Sequence, residues 1–177
     1  MKLLQIVGRK KAGKTGLVVR LIPLLRARGL RVGSIKHSSH PHSLDREGSD
    51  SWRHREAGAE ATMGITAAAI SVQLPLPSSQ AETDALIQRE MAGCDLVLIE
   101  GWAERGGPKI EVLPADAQGR PREPRVRDSG ELLAVVLAPG LRPEAPVLEG
   151  MALTVPCFLW NDTEAVADLV IAWYATP

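Results

Sequence analysis

The stretch GRKKAGKT, from Gly8 to Thr15, constrains the fold more than any other part of this 177-residue chain. It matches G-x-x-x-x-G-K-[S/T], a glycine-rich loop whose backbone N–H groups surround phosphate oxygens. An apolar run typical of a buried strand, Leu3–Val7, precedes the loop, and an amphipathic helical pattern, Lys14–Arg28, follows it. The motif requires this context, because the helix N-terminus adds its partial positive charge at the same point. The sequence therefore predicts a nucleotide phosphate site.

Two side chains of this loop have defined tasks in phosphate chemistry. Lys14 is expected to reach the β and γ phosphates, and the hydroxyl of Thr15 is expected to ligate Mg²⁺. Such a site also needs a carboxylate at the carboxyl end of a neighbouring strand. Glu100 follows the apolar run DLVLI and has that position, whereas Asp95 stands at the other end, so we predict Glu100 as the second magnesium residue. The loop residues predicted to bind nucleotide are Gly8, Arg9, Lys10, Lys11, Ala12, Gly13, Lys14, Thr15 and Gly16.

Strand and helix patterns alternate along the rest of the chain. The predicted strands are Leu3–Val7, Arg31–Lys36, Met63–Ile65, Ala68–Gln73, Asp95–Ile99, Lys109–Leu113, Leu132–Leu137 and Val155–Leu159. The predicted helices are Lys14–Arg28, Asp50–Gly58 with Asp50 or Ser51 as N-cap, Ser79–Ala92, and Asp162–Tyr174. This alternation predicts an α/β three-layer sandwich around a mostly parallel sheet. The length suits one nucleotide-binding domain over residues 1–177.

Composition excludes several classes of partner. Lys and Arg number 21, as do Asp and Glu, so no overall charge attracts nucleic acid or an anionic membrane. No apolar run reaches the ~18 residues of a membrane helix, and the first strand begins without a secretory leader. We therefore expect a cytoplasmic protein with no nucleic-acid or membrane partner. The two cysteines, Cys94 and Cys157, are expected to be buried free thiols, and the arginines of Pro114–Gly130 to form a solvated face.

All four histidines lie between Lys36 and His54, in KHSSHPHSLDREGSDSWRH. Three readings of this segment stay open: a loop facing the phosphates or substrate, a metal site completed by Asp45 or Asp50, and solvated residues without function. Ligands of open α/β sheets lie beyond the carboxyl ends of strands, which favours the first reading. His54 lies in a predicted helix and is expected at the surface or in a dimer contact.

Trp52, Trp102 and the pair Asn161-Asp162 are further candidates for a role at the nucleotide. Trp52 and Trp102 follow candidate site residues, and burial is favoured over stacking on a base or pterin for both. Asn161-Asp162 could read a base, but capping the last predicted helix accounts for the pair and is favoured.

Read in order, GRKKAGKT, IKHSSH, DREGSDSWRHREAGA, DLVLIEGW, PKIEV and NDTEAVADLVIAWY resemble the MobB family, the molybdopterin-guanine dinucleotide biosynthesis adaptor proteins. The resemblance covers nearly the whole chain. It implies a P-loop NTPase fold, GTP binding with Mg²⁺, weak GTP hydrolysis at most, and a homodimer. The implied partner is the MobA-type guanylyltransferase that joins GMP to molybdopterin, and molybdopterin itself is a candidate ligand. The residues that resemble the family's loop facing the nucleotide are Lys36, His37, His40, Asp45 and Asp50.

The chain departs from the family pattern at two places. Gly16 stands where the family commonly has Ser or Thr, so a hydroxyl contact to the α-phosphate is lost. Ala138-Pro139 stands where many relatives have a Ser/Thr-Asp pair, whose carboxylate would accept from guanine. The choice between GTP and ATP therefore stays open on the residues alone.

Two other functions are kept as alternatives. A small-molecule kinase would use an acid of the Asp45–Asp50 segment as base, and the residues predicted to be catalytic are accordingly Lys14, Glu100 and Asp45. A metal-insertion GTPase would use the histidines of HSSHPH.

Overall fold

The structure, a computed structural model, describes residues 1–39, 45–126, 130–141 and 155–177. Its strands are β1 (Lys2–Gly8), β2 (Val32–Lys36), β3 (Thr62–Ile65), β4 (Ile70–Gln73), β5 (Leu96–Glu100), β6 (Lys109–Leu113), β7 (Leu132–Leu137) and β8 (Cys157–Phe158). Its helices are α1 (Lys14–Ala27), α2 (Asp50–Glu56), α3 (Gln80–Glu90) and α4 (Thr163–Ala175). The candidate residue His40 lies outside the described residues.

A six-stranded sheet in the order β2-β5-β1-β6-β7-β8 forms the centre of the fold. Every neighbouring pair is parallel. Strands β5 and β6 are buried along their whole length, as expected for parallel strands covered on both faces. Helices α1 and α4 contribute to one core with the sheet, through Leu17, Leu21, Val166, Val170, Leu4 and Ile6. The predicted α/β fold with a mostly parallel sheet is confirmed.

The described chain divides into two compact units. The first comprises residues 1–38 and 91–177 and contains the central sheet with α1 and α4. The second comprises residues 39–90 and contains α2, the antiparallel hairpin β3–β4, and α3. The single domain over residues 1–177 stays a prediction.

One predicted helix start is wrong. Helix α2 is capped by Ser49, whose side chain accepts from the N–H of Trp52, and Asp50 is already its first helical residue. Asp50 and Ser51 were equally good cap residues by type. The position of the N-cap is decided by the hydrogen bond to an unpaired N–H of the first turn. Ser49 has both the extended backbone of a cap residue and the hydroxyl that accepts this bond.

Buried polar side chains line one face of β1 and β6. Gln5, Lys109 and Glu111 are at most 2% exposed, and the parallel register pairs Gln5 with Lys109. Gln5 donates to the carbonyl of Gly106 at 3.2 Å, and Lys109 donates to Glu131 at 2.5 Å. Irregular chain has unpaired peptide groups that need partners when buried. On this face of the sheet the polar side chains therefore hydrogen-bond to loops. An entirely apolar face would be suited to packing against a helix.

The remaining general expectations can be compared with the described chain. None of its helices combines the length and apolar character that crossing a bilayer requires. Cys94 and Cys157 are free thiols, but both are half-buried rather than buried, and burial raises the pKa of Cys157. His54 is exposed on α2, as expected.

Candidate functional site

The phosphate loop connects β1 to α1 in a conformation that its glycines permit. Gly8 has φ 137°, and a Cβ there would meet the carbonyl oxygen of Val112 on β6 at 2.4 Å. Gly13 has φ 105°, at the N-terminus of α1. Both backbone angles lie in the region that side chains with a Cβ rarely adopt. Lys11 also has a positive φ, 62°. The tight turn that the motif predicts is therefore present.

Lys14 lies over this loop. Its amine donates to the carbonyl of Gly8 at 2.9 Å and to that of Arg9 at 2.7 Å. Burial lowers the pKa of Lys14, the charge of Glu100 opposes that shift, and the charges of Lys36 and Arg125 add to it. The amine thus lies at the loop that the motif predicts to hold phosphates, and its contact with the β and γ phosphates stays a prediction.

Glu100 connects the phosphate loop to the neighbouring strands. Its carboxylate accepts from the hydroxyl of Thr15 at 2.8 Å and forms an ion pair with the amine of Lys36. The register explains this meeting, because Glu100 is paired with Ile6 on β1 and with Lys36 on β2. A hydroxyl and a carboxylate are the hard oxygen ligands that Mg²⁺ prefers, so the residues present fit that ion. Thr15, Lys36 and Glu100 are brought together as the sequence predicts, while their roles stay predictions.

An aromatic pair lies just beyond Glu100. The rings of His37 and Trp102 are stacked, with centroids 4.7 Å apart and planes 5° from parallel. Trp102 has φ 66°, and a Cβ at Gly101 would meet the carbonyl oxygen of His37 at 2.8 Å. The turn after β5 therefore packs tightly on the end of β2. Trp102 is half-buried, and the guanidinium of Arg105 also lies over its ring, 5.7 Å from the centroid.

Trp160, which no sequence motif marks, contacts the phosphate loop. A Cβ at Gly13 would approach its indole ring to 2.9 Å, and a Cβ at Gly16 would approach it to 3.0 Å. The guanidinium of Arg20 lies over the same ring, 5.5 Å from its centroid. In the sequence, this contact is marked only by glycine at position 16, where the family commonly has Ser or Thr. Glycine leaves room for the large side chain of Trp160.

A cavity of about 580 Å³ opens beside Trp160. Its lining residues are Pro139, Gly140, Leu141, Cys157, Leu159, Trp160 and Asn161. Apart from Cys157, which begins β8, they follow β7 or β8 at the carboxyl edge of the sheet, where ligands of open α/β sheets bind. The volume is within the usual range for a site that holds a small organic molecule.

The capping role favoured for Asn161-Asp162 is met in position but not by a side-chain hydrogen bond, and base reading stays a prediction. Asp162 has the N-cap position of α4, but its carboxylate makes no hydrogen bond to the first turn. It accepts instead from the N–H of Leu159 at 2.9 Å and so closes the turn before the helix. Asn161 is exposed and lines the cavity beside Trp160.

The other predicted site residues belong to the second unit. Asp45 accepts from the N–H of Arg46 at 3.0 Å and from the hydroxyl of Ser49 at 3.1 Å. Hydrogen bonding, most strongly from Ser51, lowers the pKa of Asp45. The Asp50 carboxylate is 92% exposed. Their positions facing the nucleotide stay predictions.

The hypothesis of a metal site depends on the histidine segment HSSHPH, of which the structure describes only a part. No group of three or more His, Cys, Asp or Glu side chains suited to a metal ion occurs in ranges 1–39, 45–126, 130–141 and 155–177. His40 and His42 lie outside those ranges. A metal site built on HSSHPH is therefore untested.

Comparison with known proteins gives the family. The model of MobB, described as molybdopterin guanine dinucleotide synthesis protein B, matches residues 3–138. The molybdopterin-guanine dinucleotide biosynthesis adapter protein of Escherichia coli (strain K12) is 33% identical over 163 residues, 91% of this chain and 86% of that protein. The protein of the same name from Haemophilus influenzae is 43% identical over 111 residues. That alignment covers 61% of each chain, so less than two thirds of this relative is spanned.

Solved structures agree with the fold. The crystal structure of Bacillus subtilis MobB gives a TM-score of 0.69 at 22% identity and covers 97% of both chains. That of the MobB homolog from Bacillus stearothermophilus gives 0.62 at 21% identity over 100% of both chains. At these identities the likeness concerns the fold alone. Because the family model matches well over half of the residues and the E. coli relative aligns over most of the length, this chain belongs to the MobB family.

Proposed function

We propose that this protein binds GTP with Mg²⁺ and acts as an adaptor for the guanylyltransferase that completes molybdopterin-guanine dinucleotide. The observation that carries the proposal is the meeting of Lys14, Thr15 and Glu100 at the phosphate loop. The loop supplies backbone N–H groups and a lysine for phosphate, and the hydroxyl and carboxylate supply oxygen ligands for the metal. The adaptor role follows the names of the E. coli and H. influenzae relatives.

Slow GTP hydrolysis, at most, fits the surroundings of Glu100. A general base must be free to accept a proton from the attacking water. The Glu100 carboxylate already accepts from the Thr15 hydroxyl and is paired with Lys36. It is therefore better suited to hold a metal ion than to activate water.

The cavity beside Trp160 is the place that we assign to the nucleobase. The indole contacts both Gly13 and Gly16, so a base in this cavity would lie next to the phosphate loop. Apolar side chains such as Leu141 and Leu159 offer contacts to a purine ring, and the Asn161 amide can both donate and accept. Guanine is our choice because the family resemblance implies GTP.

The test is a calorimetric titration of the purified protein with GTP and with ATP, each with and without Mg²⁺. We expect GTP to bind at least about tenfold more tightly than ATP, because a few base-edge hydrogen bonds are worth that much. Mg²⁺ should tighten both. Absence of binding by either nucleotide would refute the proposal, and tighter ATP binding would refute the assignment of guanine.

We further propose that the protein is a homodimer joined through the hairpin of the second unit. The cross-strand pairs Met63–Val72 and Ile65–Ile70 place four apolar side chains on one face. They are 60%, 47%, 70% and 65% exposed, respectively. A contiguous exposed apolar face of this kind marks an interaction surface. A second copy is the occupant that the family resemblance implies.

Replacing Ile65 by Glu and Ile70 by Lys together should convert the dimer into monomers. The opposite charges face each other across the hairpin, so strand pairing is kept while the apolar face is lost. Light scattering after size exclusion should change from about twice to once the 19.0 kDa chain mass. Leu76→Lys is the control, since Leu76 is 88% exposed and lies outside this face. A monomeric wild type, or a dimeric double variant, would contradict the proposal.

A further inference from the structure

The loop that follows β6 carries arginines that the nucleotide site described above does not use. It is described from Pro114 to Val126. Glu111 of β6 is 1% exposed, and its carboxylate accepts from the main-chain N–H groups of Arg125 and Val126 at 2.9 Å. A buried charge is costly unless it is hydrogen-bonded, and these donors supply its partners. This part of the loop is therefore held against the sheet.

Nearer to β6 the same loop turns back on itself. The N–H of Asp116 donates to the carbonyl of Arg120 at 2.7 Å, and the N–H of Arg122 donates to the carbonyl of Pro114 at 3.0 Å. The Asp116 carboxylate accepts from the N–H groups of Gln118 and Arg120 at 2.9 and 2.8 Å. An aspartate that binds the N–H two residues on is typical of a stable turn. The main chain that carries Arg120 and Arg122 is thus fixed.

A cavity of about 660 Å³ opens between this turn and the phosphate loop. It is lined by Arg9 of the phosphate loop and by side chains between Asp116 and Glu123. The register explains this meeting, because Val112 is paired with Gly8, so the two loops leave neighbouring parallel strands at the same edge of the sheet. Ligands of open α/β sheets bind at that edge, and the volume suits a small organic molecule.

The lining of the cavity has an excess of positive charge. Arg9, Arg120 and Arg122 contribute guanidinium groups, and Asp116 and Glu123 contribute carboxylates. The Asp116 carboxylate is already occupied by the N–H groups of its own turn and by the Nε of Arg120 at 3.3 Å. Its charge is therefore largely compensated before any ligand binds.

The guanidinium groups of the turn are held by one nitrogen each. Arg120 donates through Nε to Asp116, and Arg122 donates through Nε to the carbonyl of Ala115 at 3.4 Å. Within residues 1–39, 45–126, 130–141 and 155–177, the terminal amino groups of both have no hydrogen-bond partner. The same holds for the guanidinium of Arg9. Donors of known position are thus left for a ligand.

The donor set fits a phosphate group. A guanidinium binds phosphate oxygens with two parallel hydrogen bonds, and the three oxygens of a phosphate monoester can use donors from more than one arginine. A carboxylate has only two oxygens to offer. Ala117 and Pro121 add apolar lining, which an organic phosphate can contact and a bare ion cannot.

We infer that this cavity is a second anion site, which binds the phosphate monoester group of an organic ligand while a nucleotide occupies the phosphate loop, and that Arg120 and Arg122 contact that group. The inference rests on the proposed function and deepens it, because the adaptor then holds two phosphorylated ligands side by side. The arginines of Pro114–Gly130 were expected to form a solvated face, and Arg120 and Arg122 are indeed exposed. The inference adds a ligand to that face.

The first test is a calorimetric titration of phenyl phosphate into protein saturated with GTP and Mg²⁺, so that the phosphate loop is already occupied. Wild type should bind with a dissociation constant of about 1 mM or tighter. Arg120→Ala combined with Arg122→Ala should weaken this binding by about tenfold or more, since charge-assisted contacts are lost. Both side chains are exposed, so thermal unfolding should be unchanged.

Arg125→Ala and phenol are the controls for this titration. Arg125 is an exposed arginine of the same loop that does not line the cavity, so its loss should change affinity by less than about threefold. Phenol lacks the phosphate and should not bind. The inference would be overturned by absence of phenyl phosphate binding to wild type, by an equal loss in Arg125→Ala, or by equal binding of phenol.

The second test uses Lys14→Ala without nucleotide. This variant disables the phosphate loop and leaves the lining of the cavity unchanged. It should bind phenyl phosphate about as tightly as GTP-saturated wild type does. If Lys14→Ala does not bind phenyl phosphate, and phenyl phosphate competes with GTP in wild type, the anion belongs to the phosphate loop and the inference is wrong.

These measurements separate failure of the inference from failure of the proposed function. If the double arginine variant weakens GTP binding about tenfold, and GTP-saturated wild type does not bind phenyl phosphate, the cavity serves the phosphates of the nucleotide itself. The proposed function then stands and the second site is refuted. If wild type binds neither GTP nor ATP, the proposed function fails, and titration of Lys14→Ala still decides whether the cavity binds phosphate.

Discussion

Replacing Lys14 by alanine is expected to abolish GTP binding while leaving the fold intact. The amine lies over the phosphate loop, bonded to the carbonyls of Gly8 and Arg9, where phosphate oxygens would become its partners. Loss of these charge-assisted hydrogen bonds should weaken affinity by at least about 100-fold. Calorimetric titration measures the affinity, and circular dichroism checks the fold.

Lys10→Ala is the matched control for this variant. Lys10 lies in the same loop and carries the same charge, but its side chain is exposed, so we expect it to meet the nucleotide through its main-chain N–H, which alanine keeps. Its removal changes the local potential without removing the amine that lies over the loop, so affinity should fall by less than about threefold. Micromolar GTP affinity retained by Lys14→Ala would contradict our placement of the phosphates.

The same variant tests the adaptor role. If the protein presents nucleotide to the guanylyltransferase, association of the two proteins should depend on bound GTP. Wild type should then associate in the presence of GTP and Mg²⁺, and Lys14→Ala should not. Association that is equal with and without nucleotide in both forms would argue that the adaptor function does not use the phosphate site.

Glu100→Gln is expected to remove the dependence of GTP affinity on Mg²⁺. The substitution keeps the size of the side chain and removes the charge that faces Thr15 and Lys36. Because Mg²⁺ prefers anionic oxygen ligands, the affinity gained on adding the ion should fall by about tenfold or more. Titrations with and without Mg²⁺ measure this gain directly. An unchanged gain would show that another acid holds the ion.

Asp95→Asn is the matched control, since Asp95 is the acid at the other end of the same strand. It is bonded to Arg31, and this hydrogen bonding lowers its pKa from 3.8 to about 2. A carboxyl whose pKa is lowered by folding stabilises the protein above its unfolded pKa, and that contribution is lost as pH falls towards 2. Asp95→Asn should therefore reduce the free energy of unfolding at neutral pH, lessen its change between pH 4 and pH 2, and leave the Mg²⁺ dependence unchanged.

Most of the sheet follows from the sequence, since the strands are short apolar runs bounded by loop residues. Lys109–Leu113 and Leu132–Leu137 have the predicted bounds. The last strand was predicted over Val155–Leu159 but pairs only at Cys157–Phe158. A strand at the sheet edge has a neighbour on one side only, so its length is set by tertiary pairing that local pattern does not contain.

The sequence predicts those residues of the candidate site that a single motif or a single strand end supplies. Lys14, Thr15 and Glu100 are of this kind. Trp160 was missed, because its place depends on contacts with chain more than 100 residues away in sequence. Only glycine at position 16 marked it.

The contact between Trp160 and the start of α1 makes positions 13, 16 and 160 one steric unit. A serine or threonine at position 16 would bring a Cβ to 3.0 Å from the indole, so the ring must shift by a few tenths of an ångström to accommodate the hydroxyl common in the family. A smaller side chain at position 160 would relieve this contact in a design that restores the hydroxyl. The residue at position 160 thus affects both the room for an α-phosphate contact at position 16 and the wall of the neighbouring cavity.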